Sequence, residues 1–151
     1  MLIESSHPSL KAKISKLRQN ASPGEVRRLA NEIAGIIAVE AGAKAFSIAH
    51  GSEGTTVLNS SFETQVASPQ RYTLVPILRS GLSMVSGFQS LLPDENVPVY
   101  HLGIFRDKGS LAPVEYYNKL PTKCDTFDLA IVLDPVIATG GTATAVIHSL
   151  E

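Results

Sequence analysis

Apolar positions along the chain follow two rhythms, a helical one at the start and a strand-like one in the second half. Leu10, Ile14 and Leu17 share one face at i, i+4, i+7 spacing, and Pro8 suits the first turn of the helix they predict. Ser22-Pro23-Gly24-Glu25 then has the form of a capping box, with Ser22 as cap, Pro23 in the first helical position and Glu25 reaching back. Val26, Leu29, Ile33, Ile36 and Ile37 make the apolar stripe of this second helix, which should end near Gly42. From Lys44 to Gln70 the rhythm weakens, with short alternations such as Thr55-Thr56-Val57-Leu58, and a strand or hairpin is expected there. Tyr72 to Leu78 is a strand-like run. It empties through Arg79-Ser80-Gly81 into an apolar, Ser-rich helix running to Leu92 and stopped by Pro93. Val97 to Phe105 supplies the next strand, completing a βαβ unit. Pro76 and Pro98 weigh against regular central pairing where they stand, because proline has no N–H to give a ladder. Arg106 to Phe127, with Gly109, Pro113, Pro121 and many charges, reads as a long mobile loop. Leu129 to Leu133 is short and wholly apolar, as a parallel strand covered on both faces would be.

Composition narrows the class. The 151 residues, 44% hydrophobic and 18% charged, suit one globular α/β domain. A formal net charge of -1 and the lack of any Lys or Arg block give no reason to expect nucleic acid as partner. No apolar run approaches a membrane span, and the Met1-Leu2-Ile3-Glu4 start lacks a basic segment followed by an apolar one, so a cytoplasmic protein is expected. Cys124 is the single cysteine, which excludes an internal disulfide or a cysteine metal cluster and suits a reducing compartment. His7, His50, His101 and His148 show no partner pattern for a metal or a base and read as structural or surface residues.

Candidate chemistry collects at three strand ends: Arg79-Ser80-Gly81, Arg106-Asp107-Lys108, and Asp134-Pro135-Val136-Ile137-Ala138-Thr139-Gly140-Gly141-Thr142. Parallel strands would bring all three to one rim, where open α/β sheets bind ligands. The glycine pair permits backbone angles and close approaches that other residues resist, and Thr139 and Thr142 add hydroxyls beside the free amides of a starting helix. Such a loop suits a phosphate. Arginine offers a planar fork to phosphate oxygens, each charge-assisted bond contributing on the order of 1.5 to 3 kcal/mol. Taken singly the signals are plain ones: Thr-Gly-Gly-Thr is often only a helix entry, a strand-end Arg a solvated charge, and Asp134 a cap for its own turn.

Together they resemble the uracil phosphoribosyltransferases of the type I phosphoribosyltransferase family. The resemblance rests on Val75-Pro76-Ile77-Leu78-Arg79-Ser80-Gly81-Leu82, on Gly103-Ile104-Phe105-Arg106-Asp107 with Pro113 to Pro121, and on Asp134 to Ala143. The His7-Pro8 helix start and the Glu40-Ala41 helix end are similar as well. Leu133-Asp134-Pro135 has one acid where many type I relatives have two, which is the uracil-branch pattern; Ser80 stands where Ala is usual. The resemblance implies a Rossmann-like, mostly parallel sheet flanked by helices. It implies transfer of phosphoribosyl from 5-phosphoribosyl-1-diphosphate (PRPP) to uracil, giving UMP and diphosphate in pyrimidine salvage. Asp134 and Arg106 would be catalytic, Arg79 and Arg106 would face diphosphate, Asp134 the ribose hydroxyls, and Pro135 to Thr142 would complete the PRPP site. Arg106, on the expected mobile loop, would close over PRPP. Magnesium would arrive bound mainly through PRPP, with no protein metal ligand. Homo-oligomers, dimers or larger, and a GTP effector are further implications.

The family's uracil-recognising segment, rich in Gly and Asp, has no counterpart before Glu151. The chain is therefore expected to be a single phosphoribosyltransferase domain, incomplete at its C-terminus and missing later strands: helices over 1–43, a variable hairpin region over 44–70 and a PRPP-binding core over 71–151. On that expectation it carries the PRPP half of the site and does not make UMP alone. Two readings stay open, an enzyme and a non-catalytic regulatory paralogue that binds PRPP or a nucleotide.

Overall fold

The computed structural model describes residues 2–94, 96–107, 109, 112–122 and 126–150; Lys108, Cys124 and Glu151 lie outside the described residues. Helix α1 (Pro8–Leu17) begins with proline in its first turn, and α2 (Pro23–Ala45) carries the full capping box. The Ser22 amide donates to Glu25 Oε2 at 2.9 Å, and the Glu25 amide donates back to Ser22 Oγ at 3.4 Å. The Ser22 amide, together with the Ser22 hydroxyl that donates to the same Oε2 at 2.8 Å, holds the Glu25 carboxyl below its ordinary range. The buried face of α2 is Leu29, Ile33, Ala34 and Ala38, whereas Val26, expected in the stripe, is exposed, and the helix runs past Gly42 to Ala45. Helix α1 docks on α2 through buried Leu10 and through Lys13, which bridges to Glu32; Arg28, one turn earlier on α2, bonds the other Glu32 oxygen at 2.6 Å.

The weakly patterned stretch is a well-paired antiparallel hairpin, β1 (Ser47–Thr55) with β2 (Ser61–Ser68), forming a two-stranded sheet of its own. Its pattern is faint because neither face is packed: nearly every position is exposed or half-buried, so no side of the ribbon selects apolar residues. His50 Nδ1 meets Glu63 Oε2 across this hairpin at 2.9 Å as a cross-strand pair.

Strand β3 (Tyr72–Leu78) is the axis of the main sheet. It is followed by α3 (Leu82–Gln89), β4 (Leu102–Arg106), β5 (Pro113–Asn118), β6 (Leu129–Leu133) and α4 (Gly141–Leu150), and the sheet order is β5-β4-β3-β6. β3 runs parallel to both neighbours, and β5 returns antiparallel to β4, so the sheet is mostly parallel. Alternate β3 side chains feed two cores. Tyr72 and Leu74 pack with Leu133, α2 and α3, centred on Ala34, Met84 and Phe88; Val75 and Ile77 pack with Leu102, Ile104 and Val146 of α4. Each such large apolar residue contributes roughly 1.5 to 3 kcal/mol on burial. At the far end Arg71 and Asp128 clamp the starts of β3 and β6, Arg71 Nε donating to Asp128 Oδ2 at 3.1 Å while the Asp128 amide donates to the Arg71 carbonyl at 2.7 Å. The guanidinium holds the Asp128 carboxyl below its ordinary range.

One expectation, irregular pairing at Pro76, is met on one edge, and three change. Pro76 lies fully buried in the central strand, in register with Leu133 of β6. Leu74 donates to the Pro98 carbonyl and accepts from Tyr100, so it faces β4, and by alternation so does Pro76. The β3–β4 ladder has a gap there, between the Leu74–Val99 bridge and the Ile77–Leu102 pair, and a residue without an N–H can occupy it. Pro98 itself precedes β4, which is shorter than the expected Val97–Phe105 strand. Helix α3 ends at Gln89 rather than Leu92, with the Leu91 and Leu92 amides both turned onto the Phe88 carbonyl. The expected loop after Arg106 contains edge strand β5, entirely exposed and opened by Pro113, which an edge tolerates.

Two measurements follow from this packing. At Gly87 of α3 an added Cβ would lie 2.4 Å from the Asn31 carbonyl oxygen and 2.9 Å from Ala34 Cβ, so Gly87→Val forces α2 and α3 apart. It should cost roughly 1 to 3 kcal/mol in urea unfolding, and an unchanged midpoint would contradict this contact. The Glu32 carboxyl is held below its ordinary value of 4.5 by hydrogen bonds from Lys13 and Arg28. A depressed folded-state value means stabilisation present above about pH 4.5 and lost as pH falls through the folded-state value. Glu32→Gln should flatten thermal midpoint against pH on the acid side, leaving the other carboxylates' contribution.

Candidate functional site

Because β3, β4 and β6 are parallel, their C-terminal ends open onto one rim. β3 delivers Leu78 to Gly81, β4 delivers Arg106 as its last residue, and β6 delivers Asp134 and the loop entering α4. Gly81 is where the chain turns tightly into α3. A Cβ there would lie 2.3 Å from the Leu133 carbonyl oxygen and 2.7 Å from the Ile77 nitrogen, so only glycine lets this turn close over β3 and β6. The Leu78–Arg79 peptide bond is cis. Gly140 adopts φ +81°, in the left-handed region, with open space around it. Its conformation starts α4, and its carbonyl accepts the Thr144 amide at 2.9 Å and the Thr144 hydroxyl at 3.1 Å.

A cleft of about 340 Å³ lies among these ends, lined by Ile77, Leu78 and Ser80 from β3 and its turn, Ile104 and Arg106 from β4, and Asp134 to Ala143 in part. Arg106 and the glycine loop do meet: Arg106 Nη2 donates to Thr139 Oγ1 at 2.7 Å. Asp134 shares the cleft, and its Oδ1 accepts the Val136 amide at 3.4 Å, a weak local turn bond. Of the expected site residues, Val136, Ile137, Ala138, Gly140 and Thr142 line the cleft, Thr139 borders it through Arg106, and Gly141 opens the helix. Arg79 stands at the same rim, exposed, but is absent from the cleft's lining, whereas its neighbour Ser80 is present.

Arg106 is not on a free loop. It pairs with Pro113 in the β4–β5 ladder, and the next amide, of Asp107, donates to the Ala112 carbonyl at 3.0 Å. A second, more apolar cavity of about 550 Å³ adjoins the first across Asp134 to Ile137. Its other walls are Ile14, Leu17 and Arg18 of α1, Ala30, Ile33 and Ile37 of α2, and Met84. Sequence reasoning missed this neighbourhood. The only available signal was that Ile14 and Leu17 continue an apolar face beyond the one residue, Leu10, that the packing buries. It also missed Ile77 and Ile104 as floor of the cleft, although both sit one or two positions before a rim residue.

The described residues hold no group of three or more His, Cys, Asp or Glu side chains fit for a metal, and no helix among them is long and apolar enough to cross a membrane. What remains is one carboxylate, one engaged guanidinium and a helix N-terminus around a polar cleft. These features define an α/β domain with an anion-suited glycine loop at the C-terminal rim of parallel strands.

Comparison with known proteins makes the class specific. The sequence profile described as uracil phosphoribosyltransferase matches residues 4–151, and the chain belongs to that family. It is 43% identical over 148 residues to the urg2 protein of Schizosaccharomyces pombe, covering 97% of this chain and 60% of that one. It is 40% identical over 146 residues to the uracil phosphoribosyltransferase of Bacillus cytotoxicus, covering 96% and 67%. Among solved structures it is similar to the AQ2163 protein from Aquifex aeolicus, with TM-score 0.85 and 30% identity, over 99% of this chain and 69% of that one. The chain thus spans 60% and 67% of the length of these two curated relatives.

The loop's dependence on Gly140 can be measured. Gly140→Val puts a β-branched residue at φ +81°, where L side chains are strained although there is space for them. Any thermal protection the wild-type protein gains from ribose 5-phosphate should be lost in the variant; protection that persists would show that the loop does not need this conformation.

Proposed function

We propose that the chain carries the PRPP-binding core of a uracil phosphoribosyltransferase, over residues 71–151, which transfers phosphoribosyl from PRPP to N1 of uracil and yields UMP and diphosphate in pyrimidine salvage. The observation that carries this reading is the Arg106–Thr139 hydrogen bond, which joins the end of β4 to the glycine loop after β6 beside Asp134. In this reading the amides around Gly140, Gly141 and Thr142, at the start of α4, hold the ribose 5-phosphate. Asp134 lies against the ribose hydroxyls, and Arg106 faces the diphosphate, with Arg79 reaching it from the rim outside the cleft.

As the bond from C1 to the diphosphate oxygen breaks, positive charge grows on the ribose ring and negative charge on the leaving group. A donor aimed at the diphosphate therefore gains most in the transition state, where that charge is greatest. Asp134, which lines the cleft, would oppose the positive ring in this reading. The donor set fits magnesium that is held mainly by diphosphate oxygens and water, since such an ion asks for few protein ligands. When bound, it would neutralise charge on the leaving group.

In a protein that joins this core to the family's uracil-recognising segment, a radiolabelled-uracil transfer assay tests the proposal. Arg106→Ala should lower kcat about a hundredfold while the KM for PRPP moves much less, the pattern of an interaction made chiefly in the transition state. An unchanged kcat would remove Arg106 from the chemistry. Tight binding of Mg-PRPP with no transfer to any pyrimidine would favour a sensing module instead.

A further inference from the structure

We infer that Thr139 is the positioning residue for Arg106, coupling the diphosphate end of the site to the 5-phosphate end; this rests on the donor-site reading above. Arg106 has a fixed base and a free tip. Its backbone is locked by the β4–β5 ladder, while its side chain is exposed on the rim and could point many ways. The contact that selects one direction is the 2.7 Å bond from Nη2 to Thr139 Oγ1, made across 33 residues of sequence.

A threonine hydroxyl has one proton to donate and two lone pairs to accept with. By accepting from the guanidinium, Thr139 keeps its proton for another acceptor, and the cation polarises the O–H toward stronger donation. An anion held in the glycine loop can take that proton without displacing Arg106. The neighbouring hydroxyl of Thr144 has no such role, since it donates to the Gly140 carbonyl within the first turn of α4. Thr139 is thus the side chain through which occupancy of the loop fixes the direction of Arg106. By linkage, Arg106 must then favour occupancy of the loop in return.

Titration calorimetry with two probes, magnesium pyrophosphate and ribose 5-phosphate, separates this role from simple phosphate contact. Thr139→Val should weaken both by about tenfold, the effect of one charge-assisted bond or its loss of direction. Thr139→Ser, which keeps the hydroxyl, should restore both to within about twofold on the same reasoning. In an Arg106→Ala background, Thr139→Val should still weaken ribose 5-phosphate but cause no further loss for pyrophosphate, because its hold on that probe runs through Arg106. The positioning role is overturned if Thr139→Val affects ribose 5-phosphate alone, if its effect on pyrophosphate persists without Arg106, or if Thr139→Ser behaves as valine does. A wild-type protein that binds neither probe would overturn the donor-site reading itself, and this inference with it; one that binds both while Thr139→Val leaves pyrophosphate untouched leaves that reading standing and removes only the coupling.

Discussion

Everything at the rim depends on β3 being paired in parallel on both edges while packed on both faces. Parallel pairing with β4 and β6 sends three chain ends to the same side of the sheet, so residues 79–81, 106 and 134–142 become neighbours despite their separation in sequence. The double packing makes that arrangement stiff. One face of β3 is closed by α2 and α3, the other by α4, and the Arg71–Asp128 clamp fixes its far end. A one-residue slip of β3 would exchange its two faces, placing Val75 and Ile77 where Leu74 packs, so the register is held by both cores at once.

Much of this was legible in the sequence because the relevant signals are local. The capping box at Ser22 and Glu25, the limits of β3 from Tyr72 to Leu78, and the apolar run of β6 each follow from a few adjacent residues. What was not legible depends on partners. Pro76 argues against a central strand until the neighbouring ladder is known to leave a gap on its side. The hairpin of β1 and β2 buries neither face, so it writes no alternation for a reader to find. β5 is an exposed edge, opened by Pro113 within a stretch rich in charge, which is how both a mobile loop and a protected edge strand look.

The candidate site divides in the same way. Asp134 and the Thr139 to Thr142 loop could be picked out because glycine pairs after a buried strand have a short list of physical uses. Arg106 could be picked out by its place at a strand end, yet its contact with Thr139 spans two strands and no spacing rule announces it. Arg79 shows the converse. Its sequence position was equivalent to that of Arg106, but the turn after β3, closed by Gly81 against the Leu133 carbonyl, presents Ser80 to the cleft and leaves Arg79 on the outer rim. Membership of the uracil phosphoribosyltransferase family agrees with the fold, over a chain that spans 60% of one curated relative and 67% of another.

The proposed PRPP site joins the ends of β3, β4 and β6. It is tested most directly by following backbone amide and arginine side-chain resonances while Mg-PRPP is added. The amides of Gly140, Gly141 and Thr142 and the Arg106 guanidinium should shift together along a single saturating curve. Shifts confined to the α1–α2 surface, or curves for Arg106 and the glycine loop that saturate at different concentrations, would contradict it.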